Sequence, residues 1–258
     1  MYKQAQKNLG KRNPAVFEFK DFSMIQFHSG QRVNTDSCVF ADLASQNVEP
    51  KRILDIGTGS GVVALMIACK FPGVSITAVE QEPDVAVVAK QNFEQSPWSK
   101  SLSLHVMKAQ DLGPTLMEPF DLVLVNPPYF AEQTLSPDRL RAVARHTVSL
   151  GPRDTFEIFL RTLSPDGEAW LSCPTSDLGA WQAEAHRVGL FCFSHFLVHD
   201  HPESSSHISV LGWQTKPAKV MQTSSIHYRT HKLGPQSPWM QGFRARWYPE
   251  KYNANLYI

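Results

Sequence analysis

The segment ILDIGTGSGVVALMIA, residues 53–68, decides the class of fold. It starts as a short apolar strand, bends through Gly57, Gly59 and Gly61, and continues as an apolar run of helical period from about Ser60. Glycines at alternate positions let the backbone turn sharply and let a ligand approach it closely, and the helix that follows directs its first amides toward that ligand. Val62 stands where the dinucleotide spacing G-x-G-x-x-G would place its third glycine. A pyrophosphate cradle is therefore disfavoured, and a cofactor without phosphates is favoured.

On either side of this unit, short apolar runs alternate with helical patterns, the sign of βαβ units and a mostly parallel sheet. RILDIG (52–57), SITAVE (75–80), LSLHVM (102–107), FDLVLVN (120–126) and EAWLSCP (168–174) read as five strands, followed by FCFSHFLVH (191–199) and HISVLGWQ (207–214). The last two are separated by about eight residues, too few for a crossover helix, so the seventh strand should run antiparallel to the sixth. Helices are expected between the strands, capped at Ser60, Asp154 and Ser176. Ahead of the core, VFEFKDFSMIQF (16–27) alternates like a hairpin, and NTDSCVFADLASQ (34–46) reads as a helix opened by Thr35 or Asp36. The organisation expected is one domain over 1–258: an N-terminal hairpin and helix (1–50), an α/β core (51–214), and a basic, aromatic extension (215–258) whose secondary structure is not legible.

Two further features lie at the carboxyl ends of the expected strands, where open α/β sheets bind ligands. Glu80 closes the second strand, 23 residues beyond Gly57, in the position of a carboxylate that receives ribose hydroxyls. Asp55 sits between Leu54 and Ile56, and a buried acid there needs a partner. The bland alternative is that Asp55 and Glu80 cap a helix and a strand. The fourth strand ends in Asn126, Pro127, Pro128, Tyr129 and Phe130, where two prolines stop the pairing and leave a carboxamide and an aromatic ring at the sheet edge. S-adenosylmethionine, which carries an adenosine, a sulfonium and no phosphate, suits all three features.

DIGTGSG, Glu80 and NPPYF resemble class I S-adenosylmethionine-dependent methyltransferases that modify amino nitrogens. RVNTDSCVFADLA (32–44), NFEQSPWS (92–99), VNPPYF (125–130) and RAVARHTVSL (141–150) extend the resemblance to the bacterial tRNA(Val) adenine-37 N6-methyltransferase family, over roughly residues 15–215. The resemblance implies a seven-stranded Rossmann-like methyltransferase sheet, mostly parallel with strand 7 antiparallel. It implies that Asp55, Gly57, Gly59 and Gly61 line the cofactor, that Glu80 holds its ribose, and that Thr35 and Asp36 close its methionine end. Asn126, Pro127 and Tyr129 would form the target pocket, with Asn126 also facing the cofactor and Pro128 and Phe130 beside the base; Arg145 and His146, after this turn, suit either phosphate contact or the solvated face of a helix. Such families often carry an acid just after the third strand for the cofactor adenine. Here the run is MKAQDL, which leaves Lys108, Gln110 and the substitute Asp111 open. A protein glutamine, ribosomal RNA guanine-N2 or DNA methyltransferase, a non-catalytic RNA-binding module and a dinucleotide oxidoreductase are the competing readings.

Net charge is +1, so no global field announces a polyanionic partner. The charge is uneven: Lys3, Lys7, Lys11 and Arg12 meet no acid in the first twelve residues, and seven cations meet only Glu250 in residues 214–258. HYRTHK (227–232) and FRARWY (243–248) suit RNA, and core packing of Phe243, Trp247 and Tyr248 is the equal rival. HDHPESSSH (199–207) holds three histidines without ligand spacing and reads as a solvated loop near the active edge, so no metal is expected. Cys38, Cys69, Cys173 and Cys192 are widely spaced, and no run reaches the ~18 apolar residues of a membrane span. A cytoplasmic protein with reduced thiols, tRNA as its partner and no obligatory protein partner is expected.

Overall fold

The computed structural model describes residues 15–26, 33–112, 118–127 and 150–252. Strands β1 (Ala15–Glu18) and β2 (Ser23–Gln26) form the expected antiparallel hairpin. Helix α1 (Thr35–Ala44) follows, and the core then runs β3 (Arg52–Ile56), α2 (Val62–Lys70), β4 (Ser75–Glu80), α3 (Pro83–Gln95), β5 (Leu102–Val106) and β6 (Phe120–Val125). Beyond it come α4 (Pro152–Thr162), β7 (Leu163–Pro174), α5 (Leu178–Arg187), β8 (Phe191–His199) and β9 (Ile208–Gln214). Two elements lie in the C-terminal extension, β10 (Gln222–His227) and α6 (Pro238–Trp247).

The main sheet has the order β10-β8-β9-β7-β6-β3-β4-β5. All neighbours are parallel except β9, which runs antiparallel to both β7 and β8, as the short connection between β8 and β9 requires. The expected seven core strands are present, and β10 adds an eighth, parallel to β8. The sheet is buried on both faces, which is why β3 and β6 are almost unbroken apolar runs. Ile53, Leu122 and Leu124 belong to the core shared with α1, α2 and the hairpin, and Leu54, Val123 and Val125 to the core around Phe156, Phe159 and Trp181.

The helix starts differ from the sequence expectation. Asn34 caps α1, its side-chain oxygen accepting from the Ser37 N–H at 2.7 Å, so Thr35 is the first helical residue. Helices α2, α4 and α5 have Gly61, Gly151 and Asp177 at the cap position and no side-chain cap bond, in place of Ser60, Asp154 and Ser176. Proline at the start of α4 removes one of the N–H groups that would need a partner.

The C-terminal extension resolves its own ambiguity for FRARWY. Phe243, Trp247 and Tyr248 are buried, Tyr248 stacks on Phe19 with centroids 5.7 Å apart, and the Lys20 N–H donates to the Trp247 carbonyl at 2.8 Å. Trp247 Nε1 and an Arg246 guanidinium nitrogen donate to the two oxygens of buried Asp42 at 2.8 and 3.0 Å. These aromatics tie α6 to α1 and the N-terminal hairpin, so packing wins over RNA contact at this segment. The four cysteines carry no disulfide.

Candidate active site

The strand order reverses between β3 and β6: from β3 the chain builds toward β4 and β5, and from β6 toward β7. That is the switch point of an open α/β sheet, and the two segments that leave it are the glycine turn and Asn126. Adjacent strands lie ~4.8 Å apart, so Asn126 and Glu80, two strands away, are separated by roughly 10 Å along the edge.

Gly57, Gly59 and Gly61 all adopt positive φ, at 71°, 59° and 91°, which explains the alternate-glycine spacing. The Gly57 and Thr58 N–H groups donate to the Val79 carbonyl at 2.8 and 3.1 Å, tying the turn to the end of β4. A Cβ placed on Gly57 would meet nothing within 4 Å, so the turn borders open space on that side. Asp55 lies beneath, 1% exposed, its Oδ2 accepting from the Thr58 hydroxyl at 2.6 Å, with the Ala64 N–H as a further donor. Burial pushes its carboxyl up to about 7 against these donors. Asp55 thus performs the capping role for α2 that the bland alternative assigned it, and shapes the turn from below.

Glu80 is held differently. Its Oε2 accepts from the Gly59 N–H at 3.0 Å and its Oε1 from the Glu82 N–H at 2.9 Å. Burial raises its carboxyl above the ordinary range, and backbone amides counter that shift. Asn92 on α3 fastens the other side: its amide nitrogen donates to the Ser60 carbonyl at 2.8 Å and the Ile25 carbonyl at 3.0 Å, and its oxygen accepts from the Ile25 N–H at 2.7 Å. One buried carboxamide therefore couples the hairpin to the glycine turn.

Asn126 is clamped by two buried serines. Its Nδ2 donates to Ser37 Oγ at 2.8 Å, and its Oδ1 accepts from Ser172 Oγ at 2.6 Å. Ser37 comes from the first turn of α1 and Ser172 from β7, so the carboxamide plane is set by elements on both sides of β6. Asp36, next to Ser37, accepts from the Tyr228 hydroxyl at 2.6 Å and lies 3.3 Å from His207 Nε2. The 199–207 loop and the segment just after β10 thus reach the sheet edge that carries Asn126. Among the described residues no group of three His, Cys, Asp or Glu side chains has metal-binding geometry.

The edge brings together Thr35, Asp36, Gly57, Gly59, Gly61, Glu80, Asn126 and Pro127. Asp111 lies in a 3-10 turn after β5 and is exposed, as is Lys108. The Gln110 side chain donates instead to Asp154 at 3.0 Å. Pro128, Tyr129, Phe130, Arg145 and His146 lie outside the described residues. Sequence reasoning missed Ser37, Thr58, Asn92 and Ser172, and took Tyr228 only as part of an aromatic and basic stretch, whereas His207 lies in the 199–207 loop that was expected near this edge. The available signals were a hydroxyl inside the apolar strand EAWLSCP and the asparagine that opens NFEQSPWS.

Comparison with known proteins agrees with this geometry. The Methyltransferase small domain family model matches residues 23–149. Over 81% of this chain and 95% of its own, a predicted O-methyltransferase from Agrobacterium tumefaciens shares the fold with a TM-score of 0.62 at 15% identity. A putative RNA methyltransferase from Pyrococcus horikoshii does so with a TM-score of 0.52 at 12% identity, over 83% and 95%. The tRNA1(Val) (adenine(37)-N6)-methyltransferase of Vibrio cholerae is 34% identical over 175 residues, 68% of this chain and 72% of that protein. That of Pedobacter heparinus is 36% identical over 159 residues, 62% and 67%. With that identity carried across two thirds or more of these relatives, the chain belongs to the tRNA1(Val) (adenine(37)-N6)-methyltransferase family.

Proposed function

We propose that this protein methylates the N6 amine of adenine 37 in a tRNA anticodon loop, with S-adenosylmethionine as cofactor. The observation that carries the reading is the carboxamide of Asn126, locked by Ser37 and Ser172 one strand from the glycine turn. The donor set suits the cofactor: a left-handed glycine turn open on one side, and a carboxylate, Glu80, at the end of the adjacent strand for ribose hydroxyls. Thr35 and Asp36 are assigned to the methionine end and Asp111 to the adenine end, with Asp55 shaping the turn from beneath. When bound, S-adenosylmethionine supplies an electrophilic methyl group on a sulfonium.

The lone pair of an adenine amine is delocalised into the ring, so the amine is a weak nucleophile. Asn126 Oδ1 and the Pro127 carbonyl accept its N–H bonds and favour the pyramidal form in which the lone pair points outward. The methyl group would come from the cofactor's sulfonium, which would leave as a neutral thioether as its S–C bond breaks; the amine's surplus proton would pass to water, so no side chain need act as base. The assigned work is placement and electrostatics. Tyr129 and Phe130 are assigned to stacking the extruded base, a contact worth ~1–3 kcal/mol per base in single-strand binding. Among the described residues no helix is long and apolar enough to cross a membrane, and a cytoplasmic site of action follows from the tRNA substrate.

Nucleoside mass spectrometry of tRNA from cells with and without the protein tests the function. Loss of one N6-methyladenosine at position 37 is expected, and unchanged adenine with a lost N2-methylguanosine would replace the reading with the guanine one. Calorimetry should show S-adenosylhomocysteine binding without NAD binding.

Ser172→Ala tests the clamp. Removing one buried hydrogen bond costs ~1–3 kcal/mol, or roughly 10–100-fold when felt mainly in the transition state. The expected result is that loss in kcat, with KM for tRNA and S-adenosylhomocysteine affinity unchanged. A wild-type kcat would remove Ser172 from the mechanism.

A further inference from the structure

The hairpin that leaves β10 displays an apolar side chain that no packing among the described residues explains. Residues 229–236 close on themselves through the Arg229–Gln236 bridge, with Thr230 N–H donating to the Pro235 carbonyl at 3.0 Å and Gly234 N–H to the His231 carbonyl at 2.8 Å. The Arg229 guanidinium donates to the Gly234 carbonyl at 2.8 Å. The His231 ring covers Gly234 so closely that a Cβ there would come within 2.6 Å of it. At the tip of this braced turn, Leu233 is 90% exposed and holds φ at 60°.

Both properties are unfavourable for a leucine. Exposure forgoes apolar burial, and the left-handed backbone places Cβ against the carbonyl oxygen, a strain that glycine avoids and asparagine tolerates. The position is one where folding alone would favour either of those residues. Nothing among the described residues offsets these costs, and a leucine held there points to a contact outside this chain.

The turn's place indicates which contact. Because β10 is parallel to β8, its last residues lie at the same sheet edge as Asn126. Tyr228, at the base of the turn, bonds to Asp36, and the adjacent Ser37 bonds to Asn126. Beside Leu233 stand the exposed His231 and Lys232, and Lys232 has no carboxylate partner among the described residues. An apolar tip beside the Lys232 cation, on a turn whose base at Tyr228 reaches the helix that clamps Asn126, matches a nucleic-acid loop. A base must leave its stack to be modified, and apolar side chains fill the step that opens.

We propose that the 230–234 turn is an RNA wedge: Leu233 packs against a base neighbouring the target adenine and Lys232 meets an adjacent phosphate. This rests on the tRNA-loop reading of the site. A braced tip loses little freedom on binding, so its contact is not offset by ordering.

The test is Leu233→Asn, which tolerates the backbone conformation and removes the apolar group. Its melting temperature should equal or exceed that of the wild type, and its S-adenosylhomocysteine affinity should be unchanged. Its affinity for the tRNA, read by fluorescence anisotropy without turnover, should fall about tenfold, the order of one base contact. Lys232→Ala should weaken tRNA binding and lower the slope of log K against log salt by about one. Wild-type tRNA affinity in Leu233→Asn, or a melting temperature lowered by several degrees, would overturn the proposal, the first result leaving a protein partner as the alternative. Because binding is read apart from methylation, a wild-type protein that bound tRNA without methylating it would defeat the functional reading while the wedge was still tested.

Discussion

Asn126→Ala is expected to lower kcat for methyl transfer by about 10²–10³-fold, the loss seen when a preorganised hydrogen-bonding group is removed from a reacting centre. The fall should appear in kcat, because the substituted group acts on the amine as it becomes nucleophilic and contributes little to holding the rest of the tRNA. S-adenosylhomocysteine affinity should change little, since the glycine turn and Glu80 stand on β3 and β4 and their bonds do not involve Asn126. Buried Ser37 and Ser172 lose their common partner, so a stability loss of ~1–3 kcal/mol should accompany the change. Rates are therefore to be measured well below the melting temperature. Near-normal turnover on tRNA would show that the carboxamide is a structural strut between α1 and β7, and the pocket would have to be sought elsewhere.

The largest effect on stability is expected from Gly61→Ala. Gly61 has φ of 91° at the start of α2, and a Cβ there would lie 2.6 Å from Phe93 Cε1. Phe93 is buried and cannot move aside without disturbing the core that joins α2, α3 and the hairpin. Left-handed strain of ~1–2 kcal/mol and overpacking of ~1–3 kcal/mol together predict a loss of about 2–5 kcal/mol in chemical denaturation. Gly57→Ala provides the control: its φ of 71° carries the strain, but no atom lies within 4 Å, so only the first contribution is expected. Combining Gly61→Ala with Phe93→Leu should cost less than the sum of the two changes, because they share one contact. Equal losses for Gly57→Ala and Gly61→Ala would show that Phe93 yields freely.

The same pair of glycines shows how far local sequence could be read. The alternating glycines, the apolar strands, the end of β6 just ahead of Asn126 and Pro127 and the short link before the antiparallel strand are all local patterns that appear in the structure, although β7 begins at Leu163 and not at the expected Glu168. Cap positions were less legible. Ser60 and Ser176 have the right chemistry for caps, yet α2 starts from Gly61 without a side-chain cap bond, and its Ala64 N–H is met by Asp55 on the strand that leads into the turn. The extension 215–258 was opaque because β10 is a polar strand with four exposed residues, which gives no alternation to recognise. Its identity as a strand comes from pairing with β8.

By itself, then, the order of residues determined an α/β sheet, a glycine turn suited to a phosphate-free cofactor, and an asparagine at the end of a later strand, because periodicity and short spacings are written along the chain. Tertiary structure alone decided how that asparagine is aimed: Ser37 and Ser172 lie 89 and 46 residues away, and Tyr228 reaches Asp36 across 192. Contacts at such separations leave no period in the sequence. A serine in a strand or at a helix start declares no partner until the sheet brings one within hydrogen-bond distance.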